Sequence, residues 1–154
     1  MRQGLDHADA LYNLARYLTR SAADAEDMVQ ETYTRAFAAS RQFVPGTNLK
    51  AWLFKILRNA CIDSARRRHV IEEELDETAT PTAASGVLQG VLAHEIENAV
   101  LALPESARAV ILLDLEGFTE TECAEILGCA VGTIKSRLAR ARGLLRERLQ
   151  DHAR

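Results

Sequence analysis

Cysteine, proline and glycine are scarce in this sequence. Its 154 residues include only three cysteines, three prolines and eight glycines. Cys61, Cys123 and Cys129 are too few and too scattered for a disulfide framework or a zinc site, and no histidine stands at ligand spacing from them. We interpret the three cysteines as small buried or incidental thiols in a reducing cytosol.

Other absences limit the fold and the classes of function. Strand-like alternation is absent, which together with the scarcity of proline and glycine predicts an all-α chain. The apolar runs are too short to span a bilayer, and no secretory signal opens the chain, so we expect a cytoplasmic protein without membrane insertion. No nucleophile–base pair, phosphate-binding loop or metal cluster stands out. The sequence therefore predicts no enzymatic activity and no cofactor.

Charge is segregated along the chain, although its net value is only −3. Residues 1–70 hold eleven Lys or Arg against seven Asp or Glu, and residues 130–154 hold seven against two. Between them, residues 71–103 hold seven acids and no Lys or Arg, and residues 104–129 hold six acids against one Arg. Two basic zones separated by acidic ones indicate two nucleic-acid contacts and an acidic connector, where an evenly mixed surface would be the ordinary alternative.

The segment from Phe118 to Leu149 predicts two helices joined at a glycine. Thr119 is a good N-cap, and Glu122 three residues later completes a capping box. Gly128 supplies the left-handed residue that ends the first helix near Leu127. The second helix begins at about Val131 and has an apolar stripe of Ile134, Leu138, Ala141 and Leu145.

A polar and basic surface lies beside this stripe on the second helix: Thr133, Lys135, Ser136, Arg137, Arg140 and Arg142. Two helices around a glycine turn, the second of them basic, are typical of a helix-turn-helix that enters a DNA major groove. The alternative is a solvated surface whose arginines only complement the helix dipole.

The N-terminal region predicts two further helices. The first runs from about Asp6 to Thr19, with Leu11, Leu14, Ala15 and Leu18 as its apolar stripe. Ser21 and Asp24 resemble a capping box and open a second helix that reaches Ala39. We expect its buried face to be Ala25, Met28, Val29, Thr32, Ala36 and Phe37. Its acidic face carries Asp24, Asp27 and Glu31, with Gln30 nearby.

A loop from Arg41 to Asn48 precedes the most regular helix of the chain. Pro45 and Gly46 indicate a turn, and Thr47 or Asn48 can cap the helix that follows. This helix is predicted from about Leu49 to Arg68, with one apolar face: Leu49, Trp52, Leu53, Ile56, Leu57, Ala60 and Cys61. Polar and cationic residues cover the rest, among them Lys50, Lys55, Arg58, Asn59 and Arg66.

Phe54 lies between Lys50 and Arg58 on this helix and allows two interpretations. It can face outward and offer a stacking surface for unstacked bases beside a cationic helix. Alternatively it packs on a neighbouring helix, while the arginines only cap a helix C-terminus. Taken alone, this helix favours the packing interpretation.

The composition then divides the chain into two helical domains, residues 1–69 and 91–154, joined by a flexible acidic linker at residues 70–90. The second domain begins near Val91, with Leu92, Ile96 and Val100 as its first apolar residues. Pro104 opens a helix with a core face of Ala107, Val110, Ile111 and Leu115, and Gly117 ends it.

Two stretches of the sequence resemble the extracytoplasmic-function (ECF) sigma factors, the smallest class of bacterial RNA polymerase specificity subunits. The first consists of LYNLARYLTRSAADAEDMVQETYTRAF and LKAWLFKILRNACIDSARRR, which are similar to sigma region 2. The second is LPESARAVILLDLEGFTETECAEILGCAVGTIKSRLARARGLLRERL, which is similar to region 4. The two occur in the family's order, cover most of the chain and have a linker between them. Either half alone would be less specific.

The resemblance implies three sets of functional residues. Those of the recognition helix for the minus-thirty-five element are Thr133, Lys135, Ser136, Arg137, Arg140 and Arg142. Those for the melted minus-ten element, including a loop that captures a flipped base, are Arg41, Phe43, Asn48, Lys50, Trp52, Lys55, Arg58, Asn59 and Arg66. Those that dock on the β′ clamp of the polymerase are Asp24, Asp27, Gln30 and Glu31.

The function implied is that of a sigma factor, which directs bacterial core RNA polymerase to specific promoters of a stress- or signal-responsive regulon. Its partners would be the polymerase (β′ clamp and β flap), promoter DNA and an anti-sigma factor. The linker would thread toward the polymerase channels, where its acidity suits a mimic of nucleic acid. The sequence departs from the family at Glu120, where Tyr is frequent, at Cys123, where Ile is usual, and in a shorter N-terminal stretch.

Two other functions compete with this one. A stand-alone helix-turn-helix regulator that binds duplex DNA explains residues 91–149, but it leaves the acidic helix, the Pro-Gly loop and the basic helix without a role. An adaptor or sigma mimic that binds proteins and little DNA would have a degraded recognition helix, whereas this one is intact.

Overall fold

The protein is helical throughout the part that the structure describes, residues 5–75 and 91–152 of a computed structural model. These residues form two compact units, one within Met1–Ala83 and the other within Ala84–Arg154. They contain seven α-helices, one short 3₁₀ helix and no strand. The predicted all-α fold with two small domains is confirmed.

The first unit has three helices, which are α1 (Ala8–Thr19), α2 (Ala22–Ala38) and α3 (Leu49–Leu75), with the 3₁₀ helix at Ser40–Gln42. The second unit has four helices, which are α4 (Val91–Leu101), α5 (Glu105–Leu115), α6 (Glu120–Leu127) and α7 (Val131–His152). In the first unit α1, α2 and α3 all pack on one another, and in the second unit α7 packs on each of α4, α5 and α6.

The core of the first unit forms where the apolar stripes of α1, α2 and α3 meet. Its buried side chains are Leu11, Leu14, Ala15, Ala25, Thr32, Ala36, Leu53, Phe54, Leu57 and Ala60. Thr32 is tolerated in this core because its hydroxyl donates a 2.6 Å hydrogen bond to the carbonyl of Met28. The buried Ala25 and Ala36 of α2 add little bulk between this helix and its neighbours.

Two arginines tie α2 to α3. Arg35 donates from Nε to Glu31 and from Nη1 to Asp63, each at 2.9 Å. The hydrogen bond that Arg35 donates to Glu31, together with its hydrogen bond to Asp63 and the charge of Asp63, raises the pKa of Arg35. Farther along the helix pair, Arg68 of α3 forms an ion pair with Asp24 of α2. The acidic helix is therefore held at both ends by arginine side chains of its own unit.

The core of the second unit gathers side chains from α4 to α7: Ala99, Val100, Leu103, Ala107, Val110, Ile111, Leu112, Leu113, Phe118, Cys123, Ala124, Ile126, Leu127, Ile134, Leu138 and Ala141. Arg108 is buried among them, and its Nη2 donates to the carbonyls of Leu101 and Leu103 at 3.2 and 3.0 Å. These carbonyls lie at the last residue of α4 and two residues after it, so the guanidinium satisfies acceptors that the end of the helix leaves open.

Several predicted helix boundaries are confirmed by the capping contacts. Thr119 and Glu122 form the reciprocal capping box, and Gly128 ends α6 with φ 68°. Gly117, with φ 90°, follows the end of α5. Asn48 caps α3 through a 3.1 Å hydrogen bond from the Ala51 amide. Only half of the box at Ser21 forms, because Asp24 turns its carboxylate to Arg68.

Other predictions are wrong. The third helix continues past Arg68 to Leu75, because the glutamates and leucine that follow favour helix. It thus enters the predicted linker, whose residues 76–90 lie outside the described residues. Phe37 and Leu115, both predicted to be buried, are 65% and 71% exposed. Each stands in the last turn of its helix.

Candidate nucleic-acid interface

The basic surface of α7 is held outward by the burial of its opposite face. Ile134, Leu138 and Ala141 are buried, which fixes the rotation of the helix about its axis. Lys135, Ser136 and Arg140 are consequently exposed, and Thr133 and Arg137 are half-buried at the margin. The Ser136 hydroxyl bonds back to the Thr133 carbonyl at 3.0 Å.

Two cations of α7 contact acids of their own unit. The Nη2 of Arg142 lies 3.1 Å from a carboxylate oxygen of Asp114 on α5. The Nζ of Lys135 lies 3.9 Å from a carboxylate oxygen of Glu120 on α6. The first distance is that of a hydrogen-bonded pair, whereas the second is a loose, exposed contact worth little. Arg142 therefore braces α7 against α5, while Lys135 stays available to a ligand.

Arg137 reaches back to the turn of the helix-turn-helix. Its Nη1 lies 3.9 Å from the sulfur of Cys129, and the Cys129 amide donates to the Ala124 carbonyl at 3.1 Å. This places the guanidinium next to the turn. Arg140, one helical turn farther on, has no ion pair with any described residue and is exposed.

The loop between α2 and α3 contains a hydrogen-bonded turn. The Thr47 amide and hydroxyl both donate to the Val44 carbonyl, at 3.2 and 2.6 Å, across Pro45 and Gly46. Gly46 has φ 91°, which favours glycine at this position of the turn. The loop residues Arg41 and Asn48 are exposed.

An aromatic pair joins this loop to the first turn of α3. The rings of Phe43 and Trp52 have centroids 5.1 Å apart and are tilted by 47°. Both side chains are half-buried, so each leaves part of its ring to solvent. Such tilted pairs are favourable beyond their buried area, and the exposed ring edges are a surface on which an unstacked base can rest.

Phe54 belongs to the core and takes no part in this surface. Its side chain is 0% exposed, so the packing interpretation is confirmed and the outward one is wrong. The ammonium of Lys50 lies 5.8 Å from the centre of the Phe54 ring. The remaining predicted side chains of α3 line its outer side, with Lys55, Asn59 and Arg66 exposed and Arg58 half-buried.

The acidic residues of α2 differ in their surroundings. Asp24 and Glu31 are half-buried and are paired with Arg68 and Arg35 respectively. Asp27 and Gln30 are exposed, and Asp27 forms no ion pair with a described residue. Sequence reasoning grouped all four by helical spacing, which gives no indication of Arg68 on α3 as the partner of Asp24.

Sequence reasoning also missed three residues at these surfaces. Asp114 braces Arg142 from 28 residues away, a separation at which spacing carries no signal. Asp63 and Arg68 of α3 likewise form ion pairs with α2, with Arg35 and Asp24 respectively. The sign of their charges was the available clue, since each lies opposite a residue of the other sign.

Cys61 and Cys123 have environments that suppress thiolate formation. Burial raises the pKa of Cys61 to about 11. Burial, and then the nearby carboxylates of Asp114 and Glu122, raises the pKa of Cys123 to about 11. Among residues 5–75 and 91–152 no group of histidine, cysteine or carboxylate side chains is arranged to hold a metal ion. The helices described here also include none with the length and apolarity needed to cross a membrane.

Comparison with protein families matches both units in order. The Sigma-70 region 2 family covers residues 5–70, and the Sigma-70, region 4 family covers residues 93–145. Among curated relatives, the ECF RNA polymerase sigma factor EcfG of Rhodopseudomonas palustris is 44% identical over 133 residues, which are 83% of this chain and 72% of EcfG. SigE of Mycolicibacterium smegmatis is 35% identical over 96% of this chain, which spans only 60% of SigE.

A solved structure is similar along nearly the whole chain. The sigma factor RpoE, in its complex with the anti-sigma factor NepR from Bartonella quintana, is 37% identical, with a TM-score of 0.81 over 97% of this chain and 95% of RpoE. CnrH, in complex with the cytosolic domain of CnrY, is 27% identical, with a TM-score of 0.70 over 97% of this chain and 86% of CnrH. The two matched regions and the identity to EcfG show that the chain belongs to the extracytoplasmic-function family of RNA polymerase sigma factors, non-catalytic proteins that direct the polymerase to promoters.

Proposed function

We propose that this chain directs core RNA polymerase to promoters by recognising the minus-thirty-five element with α7 and the melted minus-ten element with the loop and outer side of α3. The observation that carries the proposal is the orientation of α7. Its apolar stripe is buried, and its exposed side presents Lys135, Ser136 and Arg140 together. A helix presented in this way fits the major groove, where arginine and lysine reach guanine edges.

The downstream contact uses a different chemistry. Opening a promoter unstacks bases at a cost of a few kcal/mol each, about the value for base flipping in general. The pair of Phe43 and Trp52 offers ring surface for such bases, and Lys50, Lys55 and Arg66 offer charge to the strand's phosphates. Stacking and phosphate contacts together offset part of the opening cost.

Protein partners complete the proposal. Docking on the polymerase would use α2 through Asp24, Asp27, Gln30 and Glu31, on the β′ clamp, and the second domain would meet the β flap. The solved relatives are described in complex with an anti-sigma factor and with the cytosolic domain of CnrY, so we propose that this chain too is restrained by an anti-sigma factor. Its regulon would then be responsive to a stress or another signal that releases it.

The two DNA-binding domains gain from their connection. Each is a small module with few contacts, and a tether raises the effective concentration of the second module once the first is bound. The domain boundaries proposed are residues 1–69 and 91–154, with the acidic residues 70–90 between them, of which residues 70–75 continue α3. This connector would thread toward the polymerase channels as a mimic of nucleic acid.

Binding to core RNA polymerase is the first test of the proposal. The full chain, mixed with bacterial core polymerase, is expected to co-elute with it on size exclusion and to give promoter-specific run-off transcripts. Promoters mapped from these transcripts then supply the upstream and downstream elements for binding assays. A correctly folded chain that neither co-elutes nor starts transcription, yet selects a duplex sequence, would instead be a stand-alone regulator.

Arg140 and Arg142 should separate base recognition from structural bracing. Arg140→Ala is expected to weaken binding to the upstream duplex by about 1–3 kcal/mol if the side chain reads a base, with no change in stability. Arg142→Ala removes the brace to Asp114 and should cost more stability than affinity. Fluorescence anisotropy with a labelled duplex, alongside thermal unfolding, measures both. Equal losses of affinity in the two variants would contradict this division.

A further inference from the structure

The first helix of the helix-turn-helix, α6, carries carboxylates and no cation. Its eight residues include Glu120, Glu122 and Glu125 but no Lys or Arg. In the wider segment 104–129 the one arginine is Arg108, which is buried and donates to backbone carbonyls. When the second helix of such a motif enters the major groove, the first helix crosses the phosphate backbone. In this chain α6 would therefore bring negative charge next to the phosphates.

One of these acids already contacts the basic helix. A carboxylate oxygen of Glu120, the first residue of α6, lies 3.9 Å from the Nζ of Lys135 on α7. The two side chains are 45% and 65% exposed, so the contact is loose and opens when a better acceptor arrives. The carboxylate of Glu122 differs, since it accepts a 2.9 Å hydrogen bond from the Thr119 amide. Glu120 thus offers Lys135 an anionic oxygen of the kind that a DNA phosphate would offer.

This contact also shows which side of α7 Lys135 occupies. Lys135 and Arg140 are both exposed, and five residues separate them, which places them about 140° apart around the helix. Because Lys135 lies beside α6, Arg140 lies on a side of α7 that is turned away from α6. The flank next to α6 faces the phosphates that α6 crosses. Lys135 is therefore suited to a phosphate, whereas Arg140 is suited to a base edge in the groove.

We propose that Glu120 competes with DNA phosphate for Lys135 and so lowers the affinity of the second unit for duplex of any sequence, an inference that rests on the proposed binding of duplex by α7. A phosphate contact requires Lys135 to leave Glu120 and brings the carboxylate close to a negatively charged strand. Both effects arise at every sequence, because phosphates carry no sequence information. Since phosphate attraction supplies nearly all non-specific affinity, weakening it leaves the choice of site to base contacts.

Glu120→Gln in the full chain tests the proposal by fluorescence anisotropy with two labelled duplexes, one of arbitrary sequence and one that contains the mapped upstream element. Removing the carboxylate should tighten binding to both by the same factor, about two- to fivefold, the size expected for an exposed ion pair. The plot of log affinity against log salt should become steeper by up to about 0.9, the contribution of one phosphate contact.

Glu105→Gln is the matched control. It neutralises an exposed acid at the first residue of another helix of the same unit, α5, so it makes the same change of charge at the same helical position. Glu105 forms no ion pair with a cation of α7 among the described residues. This variant should bind both duplexes as wild type.

A Lys135→Gln background shows whether Glu120 acts through Lys135. Lys135→Gln alone should weaken binding to both duplexes equally and make the salt dependence less steep. Adding Glu120→Gln to it should change neither quantity. If Glu120→Gln tightens binding equally with and without Lys135, the carboxylate repels DNA directly and the proposed competition is wrong.

The remaining outcomes separate this inference from recognition by α7. Acids in the first turn also stabilise a helix, so Glu120→Gln that melts at a lower temperature but binds as wild type would leave Glu120 only that role and overturn the inference. Tighter binding to one duplex alone would overturn it too. If Arg140→Ala loses discrimination between the duplexes while Glu120→Gln has no effect, recognition by α7 stands and the competition fails. If wild type does not discriminate, recognition fails, and the competition is supported only where Glu120→Gln still tightens binding through Lys135.

Discussion

Asp27→Lys is expected to abolish binding to core RNA polymerase and leave the fold intact. The reversal replaces an attraction by a repulsion at a contact between opposite charges, which costs several kcal/mol, or a loss of about a hundredfold or more. Asp27 is exposed and forms no ion pair within the described chain, so its replacement should change the free energy of unfolding by no more than about 0.5 kcal/mol. Size-exclusion co-elution and equilibrium titration measure the loss.

The choice of Asp27 alone follows from the ion pairs of α2. Glu31→Lys would also release Arg35 from one of its two partners, so a loss of polymerase binding in that variant has two explanations. The double variant of Asp27 and Glu31 should lose binding completely, but only the single variant attributes the loss to docking. Asp9→Lys, which reverses an exposed acid on α1, is the charge-matched control and should bind as wild type. Unchanged binding of Asp27→Lys would remove the proposed clamp contact.

Local signals in the sequence were sufficient for much of this fold. The capping box of Thr119 and Glu122, the left-handed Gly128 and the stripe of Ile134, Leu138 and Ala141 each depend on residues within a few positions of one another. Such short-range patterns act through hydrogen bonds and helical spacing that the chain makes with itself. The orientation of α7, and with it the main candidate site, was predictable for that reason.

The misplaced residues have a different physical origin. Leu115 stands four residues after the buried Ile111, on the same helical face, yet α5 ends at Leu115 and leaves it exposed. Phe37 lies beside the buried Ala36, but a step of 100° around the helix carries it out of the core. Pairs such as Arg142 with Asp114 depend on how helices dock, which no single-helix pattern contains. Arg142 was predicted as a DNA-binding residue of α7, but its observed contact is the ion pair with Asp114 of its own unit.

Phe54→Ala should be the most destabilising single change in the first domain. Its ring is fully buried, and truncating a buried phenylalanine costs about 3–5 kcal/mol through lost burial and the cavity that remains. The change also removes the ring beneath the Lys50 ammonium, 5.8 Å from its centre. Small domains are stable by about 5–15 kcal/mol, so this variant should be partly unfolded near physiological temperature. The chain has a single tryptophan, Trp52 in α3, whose fluorescence during urea unfolding reports on this domain alone.

Phe54→Leu distinguishes packing from a direct contact with DNA. Leucine keeps most of the apolar volume, so the variant should lose only about 1 kcal/mol of stability and remain folded. If Phe54 acts through packing, this variant binds single-stranded minus-ten DNA as wild type, whereas Phe54→Ala loses binding in proportion to its unfolded fraction. A folded Phe54→Leu that no longer captures the strand would show that the ring stacks on a base, and the domain would then have to open to expose it. Phe43→Ala should remain folded but bind single-stranded minus-ten DNA less tightly. Its half-exposed ring contributes less to folding than to the base-contacting surface that it forms with Trp52.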